Sequence, residues 1–289
     1  MRLLVTGAGG MLGQDVLRAA DRAGHESTGL TRAELDIADA AALGEAIART
    51  RAEAVVNCAA WTDVDGAEQQ LEQALLVNRD GAGTLARAAA EAGARLVHVS
   101  TDYVFDGLAP TDEAGRPRAY VESDPTGPRT AYGQSKLAGE REVLRASKRH
   151  VVARTAWLFG VDGRNFAATM LGLGAERDTI KVVDDQIGCP TWTGHLAPAL
   201  LGLADRGVSG LVHLAGGGAV SWNGFAAEIF RQAEVDCRVE PATSAEMARP
   251  APRPAWSALE SEREDVLPLP PWQDGLAGYL AARAGMMRA

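Results

Sequence analysis

The sequence predicts a doubly wound α/β fold: a parallel sheet with helices on both faces, joined to a smaller α/β lobe at the C-terminal end. Three observations lead there. Short apolar runs alternate with helical patterns through the first half of the 289 residues. A glycine-rich turn links the first run to the first helix. The second half is less regular, with two stretches rich in Pro, Gly and Trp.

The elements follow in order. RLLVTG (2–7) is strand-like, and residues 11–24 form a helix with Leu12, Val16, Leu17 and Ala20 on one face and Gly24 placed to end it. ESTGL (26–30) is a second strand and residues 41–50 a second helix. EAVVNCAA (53–60) reads as a buried strand, residues 73–93 as a long helix, and RLVHVS (95–100) as the fourth strand. A helix from Ala131 to Ala146 and a strand within residues 150–160 complete the alternation. Such alternation implies right-handed βαβ units. Residues 184–194 and 248–261 read as ordered loops, and a short amphipathic helix closes the chain. GLVHLAG (210–216) is one more strand, expected to return to the main sheet. The expected division is a nucleotide-binding domain over 1–155, rejoined around 195–218, and a second lobe made mainly of 156–289.

The net charge of −9 argues against nucleic-acid binding. An anionic ligand must then be held by local cations or backbone N–H groups. Cys58, Cys189 and Cys237 are widely spaced, with no CxxC pair, so neither a disulfide framework nor a zinc site is expected. The start does not read as a signal peptide, and no apolar run approaches a membrane span. A soluble, cytoplasmic protein with no membrane partner is the expectation.

Gly7, Gly10 and Gly13 give the spacing GxxGxxG between a strand and a helix. Missing side chains let a pyrophosphate approach the backbone, and the helix start at Met11 and Leu12 supplies N–H groups and partial positive charge. A purely structural turn is the alternative. With the strand before it and the helix after it, the pattern points to a Rossmann-type dinucleotide site. At the end of the second strand, Arg32 stands where an acidic residue would select NAD, which favours NADP unless it is a solvated surface arginine. Asp36 and Ile37 would lie beside the adenine.

AYGQSK (131–136) holds Tyr132 and Lys136 one helical turn apart. Alone, such a pair is ordinary helix-surface chemistry. Beside a nicotinamide site it has a use, because ketone reduction needs a proton donor. A neighbouring ammonium and the positive charge of the oxidised nicotinamide both favour phenolate, and lowering a phenol from about 10 to about 7 needs roughly 4 kcal/mol of differential stabilisation. Ser100 and Thr101 end the fourth strand at the carboxyl edge, where ligands bind in open α/β sheets.

This set resembles the extended short-chain dehydrogenases/reductases. The segments NCAAWTDVDGAE (57–68), STDYVFDG (100–107), PTGPRTAYGQSKLAGE (125–140), RTAWLFG (154–160), DDQIGCPT (184–191) and RPAWSALES (253–261) resemble the dTDP-4-dehydrorhamnose reductase family along the whole chain. The resemblance implies NADPH as cofactor, with NADH as the lesser alternative, and a dTDP sugar bearing a C4 ketone as substrate. It assigns Tyr132 as acid, Lys136 as its partner and Thr101 as the group that orients the carbonyl. Cys58, Ala59, Ala60 and Thr62 would line the cofactor.

Val64, Asp65, Asp102, Tyr103, Trp157, Asn165, Gln186 and Arg253 are the substrate-side candidates, Arg253 for the diphosphate. Asp102 has a local turn role as its alternative. Related 4,6-dehydratases carry Thr-Asp-Glu where this chain has Thr101-Asp102-Tyr103, so simple reduction is expected. Some family members bind Mg2+ at a dimer contact. The matching acidic position is Asp15, but the five histidines show no metal-ligand spacing and no metal site is assigned. Two other readings stay open: a reductase for another dTDP-4-keto-6-deoxysugar, or a non-catalytic partner subunit of the methionine adenosyltransferase type.

Overall fold

The computed structural model describes residues 1–286. The first half contains β1 (Arg2–Thr6), α1 (Met11–Arg22), β2 (Glu26–Leu30), α2 (Ala40–Thr50), β3 (Ala54–Asn57), α3 (Val64–Gln69) and α4 (Leu71–Leu75). A π-helical turn, Leu76–Gly81, carries α4 into α5 (Ala82–Glu91). The long helix expected there is thus present but widened at one turn by a π segment. β4 (Arg95–Thr101), a 3-10 turn (Asp102–Val104), α6 (Ala131–Ala146) and β5 (Val151–Thr155) follow.

The second half has β6 (Leu158–Phe159), α7 (Phe166–Gly174), β7 (Thr179–Val183), β8 (Ile187–Gly188), β9 (Thr191–Trp192) and α8 (Thr193–Arg206). It ends with β10 (Gly210–His213), β11 (Val220–Ser221), α9 (Trp222–Ala233), β12 (Arg238–Ala242) and α10 (Trp272–Met286).

The main sheet has six strands in the order β10-β5-β4-β3-β1-β2, every pair parallel. Strand side chains alternate between faces, and both faces are buried. Leu3 and Val5 pack with Val16 of α1 and with Leu196, Leu200 and Leu203 of α8. Leu4 packs on the other face with Leu43 and Ile47 of α2 and Leu85 of α5. Each fully buried leucine contributes about 1.5–3 kcal/mol. The strand order reverses at β1, which lies between β2 and β3. That reversal opens a crevice at the carboxyl ends of β1 and β3.

The second lobe packs α7, α9 and α10 around the parallel pair β7–β12, with Phe159, Ile180, Val182, Phe225, Ile229, Trp272 and Tyr279 in one cluster. The chain does not stay there. α8 goes back to lie against α1, and β10 pairs with β5 at the edge of the main sheet. α8 was not legible in the sequence because Pro198 sits inside it.

Candidate active site

The glycine turn is built by close approach. Gly7 has φ +69°, and a Cβ there would fall 2.6 Å from the backbone N of Ala59. A Cβ on Gly13 would fall 2.4 Å from the carbonyl oxygen of Gly7. Only glycine fits either position. Gly10 caps α1 without a side chain, and no acidic residue stands in the first helical turn. The first N–H groups of α1 therefore keep their partial positive charge for a ligand.

Two buried asparagines fix the loop after β3. Asn57 Oδ1 accepts from Thr6 Oγ1 at 2.6 Å and from the N–H of Ala59 at 3.0 Å, while its amide meets His98 Nδ1 at 2.9 Å. Asn78, on the π-helical turn, accepts from the N–H of Trp61 and donates to Ser135 Oγ at 2.9 Å. Ser135 Oγ in turn donates to the carbonyl of Tyr132. Gly139 lets this happen, because a Cβ there would lie 2.0 Å from the carbonyl oxygen of Asn78. The π-helical turn thus locks α6 to the nucleotide side of the cleft.

α6 starts at Thr130, whose hydroxyl accepts from the N–H of Gly133, and Glu68 accepts from the N–H of Ala131 at 2.9 Å. One turn on, Lys136 is 2% exposed and its Nζ donates to the carbonyl of Val99 at 2.7 Å. Burial pulls its pKa down to about 8, opposed by the carboxylate of Glu140. Burial also pushes the Tyr132 phenol up to about 12, against a lowering effect of the Thr101 hydroxyl.

The sequence expectation of a lowered phenol concerns the site with an oxidised nicotinamide beside Lys136; the protein alone holds the phenol high. The ammonium is held on the Val99 carbonyl, and burial is the largest influence on the phenol. A phenol near 12 is fully protonated at neutral pH, which is the state a proton donor needs. Thr101 Oγ1 donates to Asp102 Oδ1 at 2.8 Å, and burial raises the Asp102 carboxyl to about 6. The Cys58 thiol is raised to about 12 by burial and stays a neutral wall of the cleft.

A cleft of about 590 Å3 joins these groups. Of the residues picked from sequence, Gly7, Gly10, Met11, Leu12, Gly13, Cys58, Ala60, Thr62, Val64, Asp102, Tyr103, Trp157, Gln186 and Arg253 line it. Thr101, Tyr132 and Lys136 line the same cleft. Ala59 contributes through its backbone against Gly7.

Other candidates sit elsewhere. Ile37 is 5% exposed, packs against Gly81 and does not line this cleft. Asp36 closes a turn by accepting from the N–H of Ala38, and Arg32 is exposed at the end of β2. Asp65 accepts from Arg253 at 2.8 Å and from the N–H of Ala251 at 3.0 Å, so it anchors the arginine loop. Asn165 caps α7 and donates to the carbonyl of Gly160 at 2.7 Å.

Trp222 and Arg164 also line the cleft, and sequence reasoning missed both. Trp222 stacks on Trp157 with ring centroids 3.5 Å apart and planes 2° from parallel. Trp157 has φ +48°, a strained conformation for a bulky side chain. The stack and a hydrogen bond from Nε1 to Ser257 Oγ at 3.2 Å hold it there. No local spacing advertises a contact between residues 157 and 222.

The residues fit a dinucleotide: the cradle is one that a Cβ would fill, and the uncapped start of α1 faces it. They do not fit Mg2+ at Asp15. One carboxylate oxygen takes Arg18 at 2.7 Å and the other takes the Thr193 hydroxyl. Among the described residues no cluster of three His, Cys, Asp or Glu side chains is placed to hold a metal, and no helix is long and apolar enough to cross a membrane.

The profile of the family described as RmlD substrate binding domain matches residues 1–284. The chain is 48% identical to a dTDP-4-dehydrorhamnose reductase of Mycobacterium tuberculosis, covering 98% of this chain and 93% of that one. It is 46% identical to the Streptomyces griseus protein of the same name, covering 98% and 94%. Its fold is similar to the crystal structure of dTDP-4-dehydrorhamnose reductase from Bacillus anthracis in complex with NADP: TM-score 0.91, 34% identity, 97% of this chain and 99% of that one.

Proposed function

The chain belongs to the dTDP-4-dehydrorhamnose reductase family described as RmlD substrate binding domain, and on that premise we propose that it uses NADPH to reduce the C4 ketone of dTDP-4-dehydro-β-L-rhamnose to dTDP-L-rhamnose. The observation that supports this most is the convergence of Thr101, Tyr132 and Lys136 on a cleft floored by the glycine turn.

The glycine turn and the start of α1 hold the pyrophosphate, with Lys136 at the nicotinamide end. The bound cofactor supplies a hydride for the ketone carbon. The Thr101 hydroxyl, which donates to Asp102 in the structure, turns its proton to the ketone oxygen and sets that oxygen beside Tyr132. Tyr132, neutral at physiological pH, gives its proton to that oxygen as the alkoxide forms. The buried ammonium of Lys136 then favours the phenolate left behind. The Trp157–Trp222 stack provides a flat wall for the sugar ring, and Arg253, anchored by Asp65, faces the diphosphate. We place the reaction in the cytoplasm, a reducing setting that suits the free Cys58, Cys189 and Cys237.

The test is loss of NADPH absorbance with dTDP-4-dehydrorhamnose. Tyr132→Phe should lower kcat by about 10²- to 10⁴-fold while NADPH still binds. Unchanged turnover in that variant would overturn the acid assignment. A wild-type protein that binds NADPH but leaves this ketone untouched would overturn the substrate.

A further inference from the structure

We propose that Arg164 is a cofactor-binding residue: it sits on the Gly160–Asn165 loop of the second lobe, faces the glycine turn, and ion-pairs the NADPH pyrophosphate, while Arg18 and Asp162 hold that loop in place. This rests on the NADPH reading above and adds a cationic residue on the face opposite the backbone cradle.

The loop is packed on the first residue of α1. A Cβ on Gly160 would meet Met11 Cγ at 2.9 Å, a Cβ on Gly163 would meet Met11 Cβ at 3.9 Å, and Asn165 Nδ2 lies 3.9 Å from Met11 Sδ. Gly163 turns the chain at φ +72°, and both it and Arg164 line the cleft shared with Gly7, Gly10 and Gly13.

Charge points the same way. The chain carries −9 overall, so a dianionic pyrophosphate needs a cation close by. Lys136 is engaged with Val99, and Arg253 is ion-paired with Asp65. Arg164 makes no ion pair among the described residues, although it stands at the mouth of the cleft. Its guanidinium suits the bidentate geometry of phosphate oxygens.

The loop is also tied down. Arg18 bridges Asp15 and Asp162, and the second carboxylate oxygen of Asp15 takes the Thr193 hydroxyl. One network thus joins α1, the loop and the start of α8. Its outer members are partly exposed, so its value lies in where it puts Arg164 more than in stability.

The experiment measures binding to the resting protein, without sugar substrate, so it is independent of whether the proposed ketone is turned over. Arg164→Gln should raise the Kd of NADPH and of NADH by the same factor, about 10- to 100-fold, because both carry the pyrophosphate. Arg164→Lys should recover part of it. Asp162→Asn should weaken both cofactors by a smaller factor, and adding it to Arg164→Gln should cost little more, with the melting temperature nearly unchanged throughout. Three results would overturn the proposal: unchanged binding of both cofactors, a loss confined to NADPH, which marks the 2′-phosphate, or weakened binding of dTDP alone, which marks the substrate diphosphate.

Discussion

Glu140 lies one turn beyond Lys136 on α6 and is the centre of a dry polar network. It pairs with Arg154 through two hydrogen bonds, 2.9 and 2.7 Å, and accepts from Ser100 Oγ at 2.6 Å. Both side chains of the ion pair are 3% exposed, and the Arg154 guanidinium rests 5.0 Å from the Phe105 ring centroid. Glu140→Leu keeps the volume roughly constant but leaves a buried guanidinium without its counter-charge. Breaking a buried pair in this way costs about 3–5 kcal/mol. At about 2–4 °C per kcal/mol for a chain of this class, the melting temperature should fall on the order of 10 °C. Adding Arg154→Met removes the stranded charge, and the double variant should regain most of the loss. Thermal unfolding followed by circular dichroism, with urea unfolding alongside, reads both numbers. A single variant that loses under about 1 kcal/mol, or a double variant as unstable as the sum of its singles, would refute the reasoning.

Two further outcomes follow from the site. Lys136 has a folded-state pKa of about 8, below its ordinary value, so the ammonium is fully present below that pH and is lost as pH rises through it. NADPH affinity should therefore weaken above about pH 8 with the loss of one proton, in wild type and in Tyr132→Phe alike, since the phenol titrates only near 12. Lys136→Gln should flatten the profile, and a limb that persists there would reassign it. Gly139→Ala should destabilise the protein and weaken cofactor binding together, because the new methyl would displace the Asn78 carbonyl and with it the Trp61 loop. Crystallography or hydrogen exchange at residues 61 and 78 would locate the disturbance, and an undisturbed, equally stable variant would contradict it.

What the sequence makes legible depends on how local the signal is. Parallel strands buried on both faces read as apolar runs, so β1, β3, β4 and β5 are recognisable. Glycines that admit no side chain and a Tyr–Lys pair one turn apart are equally local. The rest depends on tertiary contacts. Asp65 meets Arg253 across 188 positions, and Arg18 meets Asp162 across 144. Trp157 finds Trp222 only once α9 has packed. Ile37 is buried against Gly81, a contact across 44 positions that no local pattern announces. The protonation of Tyr132 is likewise set by how much solvent its surroundings exclude, which no spacing encodes.

The return of α8 and β10 to the main sheet has a consequence for how the protein is made. A ribosome that has released β1 to β5 has produced every strand of the main sheet except β10, yet one face of that sheet is covered by α1 alone. The leucines that complete that cover, Leu196, Leu200 and Leu203, are still untranslated. At roughly 5–20 residues per second, β10 emerges about 3–12 s after β5. During that interval part of an apolar sheet face is open to solvent, to other nascent chains and to holdase chaperones. The first half of the gene therefore does not encode a module that could be spliced elsewhere as a ready-made nucleotide binder. Its last structural layer is written beyond the segment that shapes the opposite wall of the cleft, and the two halves can only mature as one.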